Sequence, residues 1–286
     1  MKICFDISWS TPSVEKDPDG SIFYINTFIP DADLVVDISS RTFSSLASKL
    51  NPKKRIFVAG EPSAYMGFTP EKIKNFGEFY QGALLTWHKE LKIFPQTKPF
   101  SMGCSWVSWR TAPNEKKFGI GAIFSNKSYP ALQGYRIRKQ LMDLEGKIKI
   151  PNMIYHSGGS WNGIKFQYPC STKKESLDFM FHLAIENCSE EGYFSEKIVD
   201  CFVAYSIPLY YGDPKIGDVF DKNGIIKLDT KNAISQINSL TPELYTSKIP
   251  ATLENFKRSS SYWDLVGNIY NHIKKYRLGE NDAKHS

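Results

Sequence analysis

Residues 181–198 read FHLAIENCSEEGYFSEKI, and this stretch decides how the surrounding chain folds. A mostly apolar run stops at Glu186-Asn187, which is typical of a buried strand with polar residues at its carboxyl end. A short loop carrying Tyr193 follows, and Ser195 then opens a helix, because serine is a preferred N-cap residue. Strand, loop and helix in this order predict an α/β unit built on a parallel sheet.

The start of that helix combines groups that suit a nucleotide sugar. Free backbone N–H groups at a helix N-terminus attract a phosphate, and Lys197 adds a full positive charge at the same place. The Glu196 carboxylate can accept hydrogen bonds from two neighbouring sugar hydroxyls, and Tyr193 supplies an aromatic ring. A capped amphipathic helix with solvated charges is the alternative, since Ser-Glu-Lys is common at helix starts.

The same strand–helix rhythm extends in both directions along the chain. Strands are expected at 2–7, 34–36 and 55–59, with a helix at 41–50, and the rhythm restarts after an irregular passage at 96–117. The second half has expected strands at 118–124, 153–155, within 177–185 and at 207–211, and expected helices at 134–144, 195–205 and 259–277. We therefore expect an α/β fold of two Rossmann-like domains, 1–115 and 116–286, facing across a ligand cleft.

Composition and charge narrow the class of function. The 286 residues include 36 basic and 30 acidic ones, a net charge of +6, without a basic arm, so we expect no nucleic-acid partner. Five scattered cysteines without a C-x-x-C pair indicate reduced thiols, and the start MKICFDISWS lacks the long apolar region of a signal peptide. These features predict a soluble cytoplasmic protein without a transmembrane segment, whose membrane contact, if any, is peripheral.

The stretch that begins at Phe181 resembles the donor-binding signature of the α1,3-fucosyltransferases. That signature is F-x-L-x-x-E-N, then Y-x-T/S-E-K, then a helix, then I/V-P-L/V/I-x-x-G. The matching residues are Phe181, Leu183, Glu186, Asn187, Tyr193, Ser195, Glu196, Lys197, Ile207, Pro208, Leu209 and Gly212. Ser195 stands where Thr is usual, Cys188 where Ser or Thr is usual, and Tyr205-Ser206 where Ala-Gly is common. None of these departures removes a charged group.

The resemblance implies a GT-B fold with a C-terminal helix and an inverting transfer of L-fucose from GDP-β-L-fucose to a hydroxyl of a glycan acceptor. It assigns the acceptor to domain 1–115 and the donor to domain 116–286. It implies no cofactor and no metal. Asp31-Ala32-Asp33 has the Asp-x-Asp pattern of metal-dependent transferases, but it precedes a strand and is expected to be a turn. The donor-binding residues implied by the signature are Glu186, Asn187, Tyr193, Ser195, Glu196 and Lys197.

Further donor contacts are implied upstream of the signature. The family has a strand that ends in Ser-Asn, matched here by Ser125 and Asn126, and then a helix with an arginine for the diphosphate. Family members often show Gly-His-x-x-Arg at this point, which favours Arg138, with Arg136 as the alternative. A turn at Ser157-Gly158 resembles the family's turn on the guanosine side, although a plain turn would look the same.

In the first domain, Gly60-Glu61 resembles the family strand that ends in Gly-Glu, whose Glu is the proposed general base. Inversion needs one carboxylate to take the proton from the acceptor hydroxyl during attack. A capping role for Glu61 is the local alternative. Trp87, His88 and Glu90 form a polar and aromatic cluster that is a candidate acceptor side, with His88 and Glu90 as second-choice bases. A structural histidine beside a tryptophan is the alternative for His88.

Two other functions stay open at this level. The donor clamp recognises mainly the nucleotide and its phosphates, so another GDP-hexose could replace GDP-fucose. A chain that kept the clamp could also bind a nucleotide sugar or glycan without catalysis. The intact set of Glu61, Arg138, Glu196 and Lys197 argues against this non-catalytic alternative.

Overall fold

The structure is a computed structural model that describes residues 1–7, 10–38, 42–108, 110–125, 127, 129–157, 159–161, 164–166 and 170–282. The chain divides into two compact units, Met1–Met102 and Gly103–Ser286. Each unit is built on its own mainly parallel sheet.

The first unit is a seven-stranded sheet in the order β2-β3-β1-β4-β5-β6-β7. All neighbours pair in parallel except β2 and β3. Two helices, α1 (Ser63–Met66) and α2 (Pro70–Phe79), lie between β5 and β6 in the chain. The strands are β1 (Lys2–Ile7), β2 (Ser13–Lys16), β3 (Ile22–Ile25), β4 (Leu34–Ile38), β5 (Arg55–Val58), β6 (Ala83–Leu85) and β7 (Thr97–Lys98).

The second unit has a five-stranded parallel sheet in the order β14-β13-β12-β8-β9 and a separate hairpin of β10 and β11. Its strands are β8 (Lys117–Ser125), β9 (Asn152–Ser157), β10 (Gly159–Trp161), β11 (Ile164–Phe166), β12 (Phe179–Ile185), β13 (Ile207–Tyr211) and β14 (Ile226–Lys227). Its helices are α3 (Gln133–Asp143), α4 (Cys170–Leu177), α5 (Glu196–Val203), α6 (Ala233–Asn238), α7 (Pro242–Ser259) and α8 (Leu265–Asp282).

Strand β12 shows why this sheet is covered on both faces. Phe181 and Leu183 belong to a core that also contains Ile137 of α3, whereas Ala184 belongs to a second core with the apolar residues of α5. Successive side chains of a strand point to opposite faces, so an almost continuous apolar run is what a doubly covered strand requires. The apolar run in the sequence therefore predicted β12 correctly.

The second unit begins earlier than the boundary expected at 115/116. Ser105 Oγ and Trp106 N each donate to Asp200 Oδ1 at 2.8 Å, and Thr111 Oγ1 donates to Asp178 Oδ1 at 2.6 Å. The residues after Met102 lack regular structure and resemble a linker in the sequence, but these long-range hydrogen bonds attach them to the second unit.

The helix predicted at 41–50 is wrong. In the described part of this stretch only Ala47–Lys49 forms a short 3-10 helix. Ser44 Oγ donates to Asp6 Oδ2 at 2.5 Å and accepts from Ala47 N at 2.9 Å. Serine hydroxyls that bond nearby backbone groups offer an alternative to helical hydrogen bonding, which explains the difference.

The single terminal helix predicted at 259–277 is also corrected. Helix α7 ends at Ser259, a 3-10 turn covers Ser260–Tyr262, and α8 begins at Leu265. Ser259 Oγ accepts from Trp263 Nε1 at 3.1 Å and donates to Phe256 O at 2.7 Å, so local hydrogen bonds accompany the break.

Candidate functional site

The strand order of the second unit creates a switch point between β8 and β12. From β8 the chain passes through α3 to β9 on one side, and later through α4 to β12 on the other side. Ser125 ends β8, and Glu186 and Asn187 follow β12 directly. In open α/β sheets the crevice outside such carboxyl ends is where ligands bind.

Glu186 holds the start of α5 in place. Its side chain is fully buried, with one carboxylate oxygen accepting from Ser195 N at 2.9 Å and the other from Ser195 Oγ at 2.8 Å. The second oxygen also lies 3.3 Å from Lys197 Nζ. A carboxylate at a helix N-terminus satisfies free N–H groups and complements the helix dipole. Glu186 and Ser195, both predicted donor contacts, are therefore bonded to each other and orient Lys197.

Lys197 and Glu196 form an ion pair in the first turn of α5. Lys197 Nζ lies 2.9 Å from Ser195 Oγ and 3.4 Å from Glu196 Oε1, and both side chains are partly exposed. Burial raises the pKa of Glu196, but the charges of Lys197 and Lys173 and local hydrogen bonds lower it more, so the pKa lies below its ordinary value. Glu196 is therefore ionised at neutral pH, and the helix start presents both a cation and a hydrogen-bond acceptor.

Arg138 reaches the same edge of the sheet from α3. Arg138 as a whole is 4% exposed, its Nη2 donates to Asn187 Oδ1 at 2.6 Å, and its Cζ lies 4.5 Å from the centre of the Tyr135 ring. Its buried Nε has no hydrogen-bond partner among the residues that the structure describes. Arg136, the alternative, is exposed on the same helix. An unpaired buried donor on a cation is suited to an anionic ligand.

Gly134 allows α3 to lie this close to the end of β12. Its N–H donates to Asn187 O at 2.9 Å. A Cβ atom at this position would lie 1.8 Å from Glu186 O and 2.8 Å from Asn187 O, which are backbone atoms. Only glycine fits here, so the approach of Arg138 to Asn187 depends on Gly134.

The remaining residues of the signature are packing positions. Tyr193, expected to supply a ring beside the ligand, is 2% exposed, so nearly all of it lies inside the unit. A Cβ at Gly212 would lie 2.2 Å from Tyr210 Oη and 2.6 Å from Glu186 Cγ. The glycine that ends the signature therefore leaves room for the buried Glu186 side chain.

The sequence interpretation missed a second buried carboxylate, Asp200 of α5. Asp200 accepts from Ser105 Oγ and Trp106 N and pairs with Lys173 Nζ, which also lies 4.7 Å from the centre of the Trp106 ring. Burial raises the pKa of Asp200, and Lys173 opposes this shift. Asp200 lies one helical turn after Glu196, and this spacing was the available signal.

Three predicted contacts fall wholly or partly outside the described residues. These are Asn126, Gly158 and the side chain of Ser157. The backbone of Ser157 ends β9 in register with Ser125 of β8.

In the first unit the candidate residues follow β5 and β6. Glu61 comes shortly after β5 and is half-buried, whereas Trp87 and His88 follow β6 and are buried. His88 Nε2 lies 2.9 Å from the Glu61 carbonyl oxygen, and its Nδ1 also has a hydrogen-bond partner. Glu90 Oε2 accepts from Ser63 Oγ at 3.2 Å. The structure thus brings His88 to Glu61, and its engaged ring nitrogens weigh against His88 as the second-choice base.

Among the described residues, no three His, Cys, Asp or Glu side chains come together in a group that could hold a metal ion. None of the helices in this part of the chain combines the length and the apolar character needed to span a bilayer.

Comparisons with known proteins add a sequence relative. The Alpha-(1,3)-fucosyltransferase FucT of Helicobacter pylori is 34% identical over an alignment of 159 residues, and the match covers 51% of this chain and 33% of the relative. The matched segment thus spans about a third of the relative's length. No protein-family model matches the chain.

Solved structures share the fold over almost the whole chain. A crystal structure of an α1,3-fucosyltransferase covers 96% of this chain and 90% of its own, with a TM-score of 0.56 at 15% identity. A structure of an α1,3-fucosyltransferase with GDP-fucose has the same coverage and identity and a TM-score of 0.51. The predicted α/β fold of GT-B type is confirmed. This chain is therefore similar in sequence to part of an α1,3-fucosyltransferase and shares the fold of the solved α1,3-fucosyltransferase structures.

Proposed function

We propose that this chain transfers L-fucose from GDP-β-L-fucose to a hydroxyl of a glycan acceptor. The main support for this proposal is Arg138, which is buried beside Asn187 and whose Nε has no hydrogen-bond partner among the described residues. The sequence relative is named an α1,3-fucosyltransferase, and similar solved structures were determined with GDP-fucose and with GDP. These similarities supply the choice of donor.

The donor side is proposed to work through charge. Arg138 and Lys197 take the diphosphate together with the free N–H groups of α5, and Glu196 accepts hydrogen bonds from hydroxyls. GDP gains negative charge as it leaves, and cations already held in place stabilise that charge in the transition state. Since the protein supplies these cations, the transfer needs no metal. We expect turnover to be insensitive to EDTA, and loss of turnover on chelation would contradict this point.

Glu61 is the proposed general base. Its carboxylate takes the proton from the acceptor hydroxyl while that oxygen attacks the anomeric carbon on the face opposite GDP. A new C–O bond forms, the bond to the diphosphate breaks, and GDP leaves with the electron pair. One displacement of this kind inverts the β-donor to an α-product without a covalent intermediate.

The test is release of GDP in the presence of glycan acceptors, measured with GDP-fucose and with other GDP-hexoses. GDP-fucose should give the highest kcat/KM. Release of GDP with another GDP-hexose and none with GDP-fucose would show that the donor is that other GDP-hexose. Binding of donor without turnover across an acceptor panel would show a binding protein instead.

Two arginines on one helix give a matched pair of variants. Arg138→Gln should lower kcat/KM by about 10²–10³-fold, since an electrostatic contact to the leaving group is lost. Arg136→Gln removes an equal charge from an exposed position of α3 and should change kcat/KM by about twofold or less. Equal losses in both variants would contradict the assignment of Arg138.

A further inference from the structure

The imidazole of His88 bridges two segments of the first unit. It follows β6, is 1% exposed, and lies between Thr86 and Glu61. His88 Nδ1 is 2.9 Å from Thr86 Oγ1, and His88 Nε2 is 2.9 Å from the backbone carbonyl oxygen of Glu61. Neighbouring rings restrict it further, with the Phe68 ring edge-on at 5.0 Å and the Trp87 ring at 4.8 Å.

These partners determine which nitrogen carries the proton. The Glu61 oxygen is a carbonyl and can only accept, so His88 Nε2 must be the N–H donor. Thr86 Oγ1 accepts from the His88 backbone N–H at 3.0 Å, which leaves its own hydroxyl proton for Nδ1. The neutral Nε2–H tautomer satisfies every group in this chain of hydrogen bonds. In this tautomer, His88 Nε2 carries a proton and has no lone pair with which to accept another.

The segment that carries Glu61 is short and is held from β6 at two points. Only residues 59–62 separate the end of β5 from the start of α1. Ala59 N donates to Leu85 O at 2.9 Å, and the Glu61 carbonyl accepts from His88. The position of the Glu61 backbone therefore depends on the residues that end and follow β6.

We propose that His88 is a positioning residue for Glu61 and acts through the Glu61 backbone carbonyl. The inference rests on the proposed function, in which Glu61 is the general base. A base must lie within hydrogen-bond reach of the proton that it takes, and a displacement of about 1 Å can lower a rate by about 10²-fold. By fixing the backbone on which the carboxylate is carried, His88 sets that reach.

Three variants separate this role from simple packing. The amide nitrogen of glutamine reaches the place of the imidazole Nε2, whereas that of asparagine reaches only the place of Nδ1. His88→Asn should therefore lower kcat by about 10- to 100-fold with the KM for GDP-fucose nearly unchanged, and His88→Gln should recover most of the loss. Ser63→Ala removes a neighbouring hydrogen bond, from Ser63 to Glu90, and should leave kcat within about twofold.

A double variant tests whether His88 acts through Glu61. If it does, His88→Asn added to Glu61→Gln should lower the residual rate of GDP release no further, because the base is already absent. A further loss equal to that seen in the single variant would overturn the inference. So would an unchanged kcat in His88→Asn, or losses in His88→Asn and His88→Gln that match each other.

The remaining outcomes are also decisive. If His88→Asn fails to fold, judged by circular dichroism, Thr86→Val releases the ring without changing the histidine. It should lower kcat without raising the KM for GDP-fucose, and an unchanged kcat would overturn the inference. If the unaltered chain releases no GDP with any donor, the proposed function fails and this inference fails with it. Full turnover in Glu61→Gln would refute Glu61 as the base and hence its positioning, with the transfer activity itself still standing.

Discussion

Replacing Glu186 with glutamine should destabilise the second unit strongly. The fully buried carboxylate accepts from Ser195 N at 2.9 Å and from Ser195 Oγ at 2.8 Å, and it lies 3.3 Å from Lys197 Nζ. Glutamine keeps one acceptor oxygen but presents an NH₂ group where the second oxygen meets two donors. The change therefore leaves Lys197 beside a donor and leaves the Ser195 hydroxyl without its acceptor.

The expected loss of stability in Glu186→Gln follows from this geometry. Removing one partner of a buried ion pair costs about 3–5 kcal/mol. The value for Glu186→Gln should be near the lower limit, about 3 kcal/mol, since Lys197 is 26% exposed and keeps Glu196 at 3.4 Å. For a unit of this size, about 3 kcal/mol corresponds to a fall of about 6–12 °C in the melting temperature.

The assay is thermal unfolding followed by near-ultraviolet circular dichroism, with Glu191→Gln as the matched control. Glu191 pairs with Lys215 at 2.7 Å, but these side chains are 64% and 59% exposed. Exposed pairs contribute about 0–1 kcal/mol, so the control should melt within about 4 °C of the unaltered chain. If both variants shift the melting temperature equally, Glu186 does not hold α5 as described.

Two further predictions follow from buried contacts in the second unit. Gly134→Ala places a Cβ 1.8 Å from Glu186 O, so α3 must shift, Arg138 moves with it, and the Kd for GDP in calorimetric titration should rise about tenfold or more. Gly146→Ala is its control, because a Cβ there meets no atom within 4 Å, and an equal Kd in both variants would contradict the prediction. Burial lowers the pKa of Lys116 from 10.5 to about 7, so the unfolded chain binds more protons at this side chain between these values, and the contribution of Lys116 to stability should rise as the pH rises from 7 towards 10. In urea unfolding, the free energy of unfolding of the unaltered chain minus that of Lys116→Met should increase over this pH range, and parallel curves would refute it.

Much of the fold was predictable because its signals are local. Apolar runs at β8, β12 and β13 mark strands that are buried on both faces, and Ser195 marks the start of α5. The failure at 41–50 has a physical reason too. Ser44 donates a hydrogen bond to Asp6, which is distant in the sequence, and helix propensity depends only on residues that are close in the sequence.

The candidate site also combines local features, which the sequence predicts, with long-range contacts, which it does not predict. Ser195, Glu196 and Lys197 are adjacent in the chain, so the capped and charged helix start could be predicted from the sequence. The contacts that organise it are long-range, since Arg138 bonds Asn187 across 49 positions and Asp200 bonds Ser105 across 95. Sequence spacing alone left Arg136 and Arg138 as alternatives and did not reveal Asp200.

The sequence by itself thus determined the α/β class, the strand that ends at Glu186-Asn187 and the charged start of α5. Each of these depends on side chains a few positions apart. Only the tertiary structure decided that Arg138 meets Asn187, that Glu186 is turned inward to Ser195, and that His88 bonds the backbone of Glu61. The physical reason is that such contacts require two elements to pack within hydrogen-bond distance, and that distance is set by the volumes of the residues between them.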